Sequence, residues 1–243
     1  PWLIQIDRIS TKNPSVPMPH PREISTKFWT MPSAQLATED INMSLKNNEE
    51  AENQTVKQDN LIYHIESNLG QIDGGWSESL DHAQIPFQIV WIKNCPVHQA
   101  TTFMTLGLSK AVLSQPDESL VRQELLLCCD DTYANNDIAS LLLAVGEDVL
   151  VEKRSLLRGQ VLILSSTMAN SSSKEALYCA SPIYFPDEFH EFKGSSPVTS
   201  IVWIVPISRK EAEFVAQNGW NRFEDILVEK DPDLMDLKRE DIV

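Results

Sequence analysis

Any chemistry in this chain has to come from a few residue patterns, and spacing tests each of them. The run TTFMTLGLS, residues 101–109, ends in Ser109 beside Lys110. A nucleophile elbow needs G-x-S-x-G, because the sharp strand-to-helix turn tolerates only small residues around the serine. Here the order is G-L-S-K and residue 111 is Ala. Neighbouring side chains on an extended chain point apart, so Ser109 and Lys110 do not read as a Ser/Lys pair. Gly107 reads as a bulge or a close backbone approach, and Ser109 as a local cap or hydrogen-bonding group. The five histidines, His20, His64, His82, His98 and His190, show no HExxH or His-x-His spacing. His64 lies beside an apolar helical stripe and reads as a hydrogen-bonded structural histidine. Carboxylates are paired at Asp130-Asp131, at Asp187-Glu188 and in the tail DPDLMDLKRED. Such pairs do acid–base work only when burial splits their pKa values, and loop positions predict solvation instead. With no P-loop and no GxGxxG, neither a cofactor nor a metal is expected.

Bulk properties narrow the classes further. At 243 residues, 42% hydrophobic and 23% charged, the chain has the make-up of an ordinary globular protein able to bury a core. Its longest apolar runs, LLLAV and IVWIVPI, fall far short of the roughly 20 residues of a membrane span. PWLIQIDRIS lacks the basic n-region and cleavage site of a secretory signal, so a cytoplasmic location is expected. The net charge of −15 repels phosphate backbones and anionic lipids, which argues against nucleic-acid or membrane partners and favours a basic one. Cys95, Cys128, Cys129 and Cys179 have no CxxC spacing and read as buried free thiols, with Cys128 and Cys129 on opposite faces of a strand.

The elements that would position a site follow from periodicity. Pro14, Pro17, Pro19, Pro21 and Pro32 predict that residues 1–36 form an extended arm. Residues 37–56 are polar and read as a linker or a solvated helix. From residue 57 to 243 a single body is expected, ending in an acidic tail. Leu61, Ile65 and Leu69, with Gly70 after them, predict an amphipathic helix. QIDGGWSESLDHAQ then reads as a loop. Apolar runs at 85–93, 101–108 and 121–129 predict three strands in an antiparallel meander. NNDIASLLLAVGEDVL predicts a helix capped by Asn135 or Asn136. GQVLILSS, 159–166, reads as a strand, and 170–192 as an irregular aromatic-rich stretch. VTSIVWIVPI, 198–207, reads as a strand through the middle of the sheet. Ser208 and Glu211 form an S-x-x-E capping box on a helix stopped by Gly219, and Asn221 with Glu224 repeats that spacing on a second short helix. The order predicts an α+β fold: a mixed, largely antiparallel sheet covered by helices.

These segments, in this order, resemble the Suppressor of fused family. IYHIESNLG is similar to its opening helix, TTFMTLGLS to its strand-and-turn, and VRQELLLCC to the strand carrying Glu124 and Leu125. PDEFHEF and VTSIVWIVPISRKEAEFVAQNGWNRFEDIL resemble its late strand and closing helices. The likeness spans about residues 57–230. It implies a non-enzymatic binding domain. Animal members grip an extended peptide of a transcription factor as an added strand, and bacterial members resemble immunity proteins of polymorphic toxin systems. A single copy of the domain favours the bacterial type. Where animal relatives carry an acidic, peptide-binding residue, this chain has Gln160. PWLI at 1–4 resembles a stretch that follows the domain in animal members, so residues 1–36 can also be read as the remnant of a preceding repeat.

The expected function is therefore an immunity or sequestering protein that binds and blocks another protein, such as a basic toxin, or an extended peptide. Candidate contacts are Trp76, Asp130, Asp131, Tyr133, Gln160, Tyr184, Asp187 and Glu188. The alternatives are a regulatory scaffold module within a larger chain and an enzyme with an unrecognised site.

Overall fold

The computed structural model describes residues 6–9, 60–78, 84–164 and 174–243. Most of the proline-rich arm and all of the 37–56 segment therefore lie outside the described residues, as do His20 and His82.

One mixed sheet organises the fold. In chain order its strands are β1 (Ile6–Ile9), β2 (Gly74–Glu78), β3 (Gln84–Lys93), β4 (Ala100–Leu106), β5 (Leu113–Ser114), β6 (Leu120–Asp130), β7 (Val161–Leu164), β8 (Ala176–Ala180), β9 (Glu191–Phe192) and β10 (Thr199–Ile207). The spatial order is β1-β7-β8-β10-β6-β4-β3-β2, with β5 on β6 and β9 on β10. Strands β3, β4 and β6 are the expected antiparallel meander, with Phe103 opposite both Trp91 and Leu127. Strand β10 runs through the middle of the sheet and pairs parallel with β6, whereas its other neighbours are antiparallel. Ile6–Ile9 pairs antiparallel with β7, so this piece of the N-terminal segment closes one end of the sheet.

Among the described residues four helices cover the two faces: α1 (Leu61–Leu69), α2 (Asn136–Glu152), α3 (Arg209–Asn218) and α4 (Trp220–Lys230). Helix α2 starts at Asn135, whose Oδ1 accepts from the amides of Asp137 and Ile138, and it buries Ile138, Leu142, Val145 and Val149 on one face of the sheet. Each such fully buried aliphatic side chain contributes about 1.5–3 kcal/mol. Helices α1, α3 and α4 cover the other face with Ile65, Val215 and Phe223. Period-two alternation divides β6 between the two cores. Leu125, Leu127 and Cys129 face α2, and Leu126 and Cys128 face the other helices. All four cysteines are buried and none is in a disulfide.

Four expectations need correction. Within QIDGGWSESLDHAQ, Gly74–Glu78 is strand β2, because β3 supplies a partner that the glycines concealed. Within 170–192, Ala176–Ala180 is strand β8, held between β7 and β10. Helix α4 starts at Trp220 with Gly219 as its N-cap, so Asn221 is already inside it. Glu224 is drawn away from any capping role because its carboxylate accepts from Tyr178 Oη (2.8 Å) and Arg158 Nε (3.0 Å). Finally, the tail is docked rather than solvated. Leu234, Leu237 and Ile242 are buried, and Arg239 forms a buried ion pair with Glu211.

Candidate functional site

The turn after β4 is structural. Gly107 takes a left-handed conformation (φ 102°) that strongly favours glycine, and a short 3-10 turn follows over Leu108–Lys110. Both carboxylate oxygens of buried Glu124 are spent on it. Oε1 accepts from the amides of Gly107 (2.9 Å) and Ser109 (3.1 Å) and from Ser109 Oγ (2.7 Å), while Oε2 accepts from Thr105 Oγ1 (2.5 Å). Ser109 is thus a donor to a carboxylate fifteen residues away, not a purely local cap. Arg122 closes the turn by donating to the carbonyls of Ser109 (2.8 Å) and Lys110 (2.9 Å). Burial pushes the Glu124 carboxyl up, and the donors from Thr105, Ser109 and Gly107 oppose that shift.

The C-terminal segment organises several of the candidate contacts. Tyr133 Oη donates to Asp236 Oδ1 at 2.7 Å, and Lys238 Nζ lies 5.9 Å from the Tyr133 ring centroid. The bond to Asp236 pushes the Tyr133 phenol up to about 12 and holds the Asp236 carboxyl below its ordinary range. The Asp130 amide donates to the Met235 carbonyl (3.2 Å), and the Tyr184 ring packs 4.7 Å from Trp203. Asp131 Oδ1 accepts from Thr101 Oγ1 (2.6 Å). Gln160 Oε1 accepts from the Leu157 amide (3.1 Å), so it braces its own turn. Tyr133→Phe removes one hydrogen bond at the tail; the expected loss in urea unfolding is about 1 kcal/mol with no change of fold.

Asp187 and Glu188 instead stand on a 3-10 turn (Asp187–Phe189) that rims an open groove of about 790 Å³. Three carboxylates line it, those of Asp187, Glu188 and Glu191, together with His64, His190 and Lys193. The turn is positioned from beneath. Phe189 is fully buried, and its ring stacks on His64 with centroids 5.8 Å apart. His64 Nε2 donates to the Phe189 carbonyl (3.2 Å) and His190 Nε2 to the Pro182 carbonyl (3.1 Å), which makes both imidazoles structural struts. Among the described residues no cluster of histidine, cysteine and carboxylate side chains could hold a metal ion. The arrangement can hold a cationic surface against an acidic rim without displacing any of these internal bonds.

Trp76 lies elsewhere, in a second groove of about 410 Å³ between β2, β3, β4 and the start of α2. The candidate residues therefore do not converge. Asp187 and Glu188 share one groove, Trp76 lines another, Tyr133, Asp130 and Tyr184 lie around the tail, and Gln160 is used internally. Sequence reasoning missed His64, His190, Glu191 and Lys193 as groove residues. The helical position of His64 opposite an aromatic-rich loop was the one signal available for them.

Residues 83–240 match the family described as Suppressor of fused protein (SUFU). No curated protein matches the chain in sequence. Among solved structures, the chain resembles the SUFU homolog from Neisseria gonorrhoeae FA 1090, with a TM-score of 0.59 and 16% identity over 79% of this chain and 96% of that one. It also resembles a chain of the Sufu-Fu complex, with a TM-score of 0.51 and 14% identity over 79% of this chain and 91% of that one. At such identities the likeness carries the α+β fold alone. No helix among the described residues is long and apolar enough to cross a membrane.

Proposed function

The chain belongs to the Suppressor of fused family, and from that premise we propose that it is a non-enzymatic protein-binding domain acting in the cytoplasm. In this reading it sequesters a basic partner protein, in the manner of an immunity protein that blocks a toxin. The observation that carries the proposal is the acidic groove. Asp187, Glu188 and Glu191 converge on an open surface of a chain whose net charge is −15, and none of the three forms an ion pair among the described residues. Such a field speeds encounter with a cationic partner and is screened by salt. The relative crystallised as a Sufu-Fu complex is itself held by a protein, which supports the general mode. Within the proposal, residues 57–243 are the binding body, and residues 1–56 are an arm and linker.

The test is a pull-down of the full chain from its native cells, washed at low and then high salt, followed by association kinetics with whatever is retained. A single basic protein released by salt is expected. Asp187→Lys combined with Glu188→Lys is expected to slow association at least tenfold while leaving thermal unfolding unchanged, since both side chains are exposed. An unaltered association rate, or a partner without excess positive charge, would remove the groove from consideration.

A further inference from the structure

We propose that the acidic groove is pH-gated: it holds a cationic segment of the partner near neutral pH and releases it when His64 and His190 take up protons. The inference rests on the acidic-groove reading above and adds its regulation. Three carboxylates line the groove, those of Asp187, Glu188 and Glu191, and so do three groups able to carry positive charge, His64, His190 and Lys193. While both imidazoles are neutral, the carboxylates outnumber Lys193. Once both are charged, three cations face three anions, and the groove's own attraction for a basic segment is gone. Imidazole is the side chain whose ordinary charge change falls between about pH 5 and 8, whereas carboxylates ordinarily stay ionised down to about pH 4.

The hydrogen bonds decide where each proton goes and what it leaves intact. His64 Nε2 lies 3.2 Å from the Phe189 carbonyl, and His190 Nε2 lies 3.1 Å from the Pro182 carbonyl. A carbonyl oxygen only accepts, so each Nε2 carries a hydrogen and the lone pair of each neutral ring sits on Nδ1. A proton added at Nδ1 therefore leaves both struts in place. The stack of His64 on Phe189 persists as well, because a cation over an aromatic face is attracted to it. Both rings are partly exposed, so the added charge stays in contact with water. The groove changes its charge and keeps its shape.

The charges that face the two rings are those of the groove itself. Asp187 and Glu188 come from the 3-10 turn, Glu191 from β9 and Lys193 from just beyond it. Strand β10 contributes only Ser200 and Ile201, and the segment at Pro182 adds only Ser181. On α1 the other titratable groups are Tyr63 and Glu66, and Glu66 Oε1 is engaged by the Ile72 amide at 3.2 Å. A groove of about 790 Å³ is on the order of one Debye length across, about 8 Å at physiological salt, so its charges act together on an occupant.

The test uses a nona-arginine peptide as probe on the full chain. Its affinity is expected to fall at least tenfold from pH 7.5 to pH 5.5. In His64→Gln combined with His190→Gln, where glutamine keeps a donor at the ε position, the affinities at the two pH values are expected to agree within about threefold. Calorimetry of the wild type at pH 6.5, in two buffers of different ionisation enthalpy, is expected to show protons released as the probe binds. That measurement reads the same coupling should the histidine double variant fold poorly. Equal wild-type affinity at both pH values, a fall retained in the histidine double variant, or binding without proton release would overturn the proposal alone. If the probe binds Asp187→Lys combined with Glu188→Lys as tightly as wild type at pH 7.5, the acidic-groove reading itself fails, and this inference with it.

Discussion

Arg239→Ala is expected to destabilise the protein by about 3–5 kcal/mol, read as a lower urea midpoint at unchanged slope. Arg239 Nη1 and Nη2 lie 2.6 and 3.0 Å from Glu211 Oε1 and Oε2, and the two side chains are 5% and 0% exposed. Glu211 is committed twice more. Its carboxylate accepts from the Ser208 amide (2.8 Å) in the capping box of α3 and from the Ile242 amide (3.2 Å) in the tail. Removing the guanidinium leaves a buried carboxylate held only by main-chain donors. The Arg239 carbonyl also accepts from buried Lys174 Nζ at 3.0 Å, so the loosened tail weakens a second buried contact. Replacing the pair by Arg239→Met with Glu211→Leu is expected to recover only part of the loss, because the cap and the Ile242 bond go with Glu211. A single-variant cost below about 1 kcal/mol would show that water reaches Glu211 and that the tail is a loose appendage.

Glu124→Ala is expected to cost a comparable 3–5 kcal/mol, since it strands donors from Thr105, Gly107 and Ser109, each worth about 1–3 kcal/mol when buried without an acceptor. Glu124→Gln is expected to be milder, because the amide oxygen still serves Gly107 and Ser109 while its NH₂ group conflicts with the Thr105 hydroxyl. The pH dependence separates the roles. Burial raises this carboxyl above its ordinary 4.5, so the folded state binds more protons than the unfolded state as pH rises past that value. The contribution is full below the unfolded pKa and declines as pH climbs through the folded one. Wild type is therefore expected to lose stability relative to Glu124→Gln as the pH is raised from about 4 towards neutrality. A flat difference across that range would mean that the four donors cancel the effect of burial.

How far these sites were legible depends on how local their causes are. The capping box at Ser208 and Glu211 was readable because donor and acceptor are three residues apart, yet the same Glu211 pairs with Arg239 twenty-eight residues on, and no spacing rule announces that. Glu124 was visible only as part of a strand. Its role as acceptor for the turn required β6 to lie against β4. The acidic pair Asp187-Glu188 was picked out correctly as exposed, but the groove it rims depends on Phe189 reaching His64 across the fold.

The sequence by itself determined the helices, the capping box of α3, the α+β class and the sorting of Cys128 and Cys129 to opposite faces. These follow from side-chain periodicity and from hydrogen bonds spanning two to four residues. Only the tertiary structure decided that GGWSE and ALYCA are strands, that the tail docks through Leu234, Leu237 and Ile242, and that Asp187, Glu188 and Glu191 share one groove. A strand exists only where a partner strand completes its hydrogen bonds, and a charge is buried only where a distant counter-charge meets it. Both conditions join residues far apart in the chain, and composition and spacing do not record which of them meet.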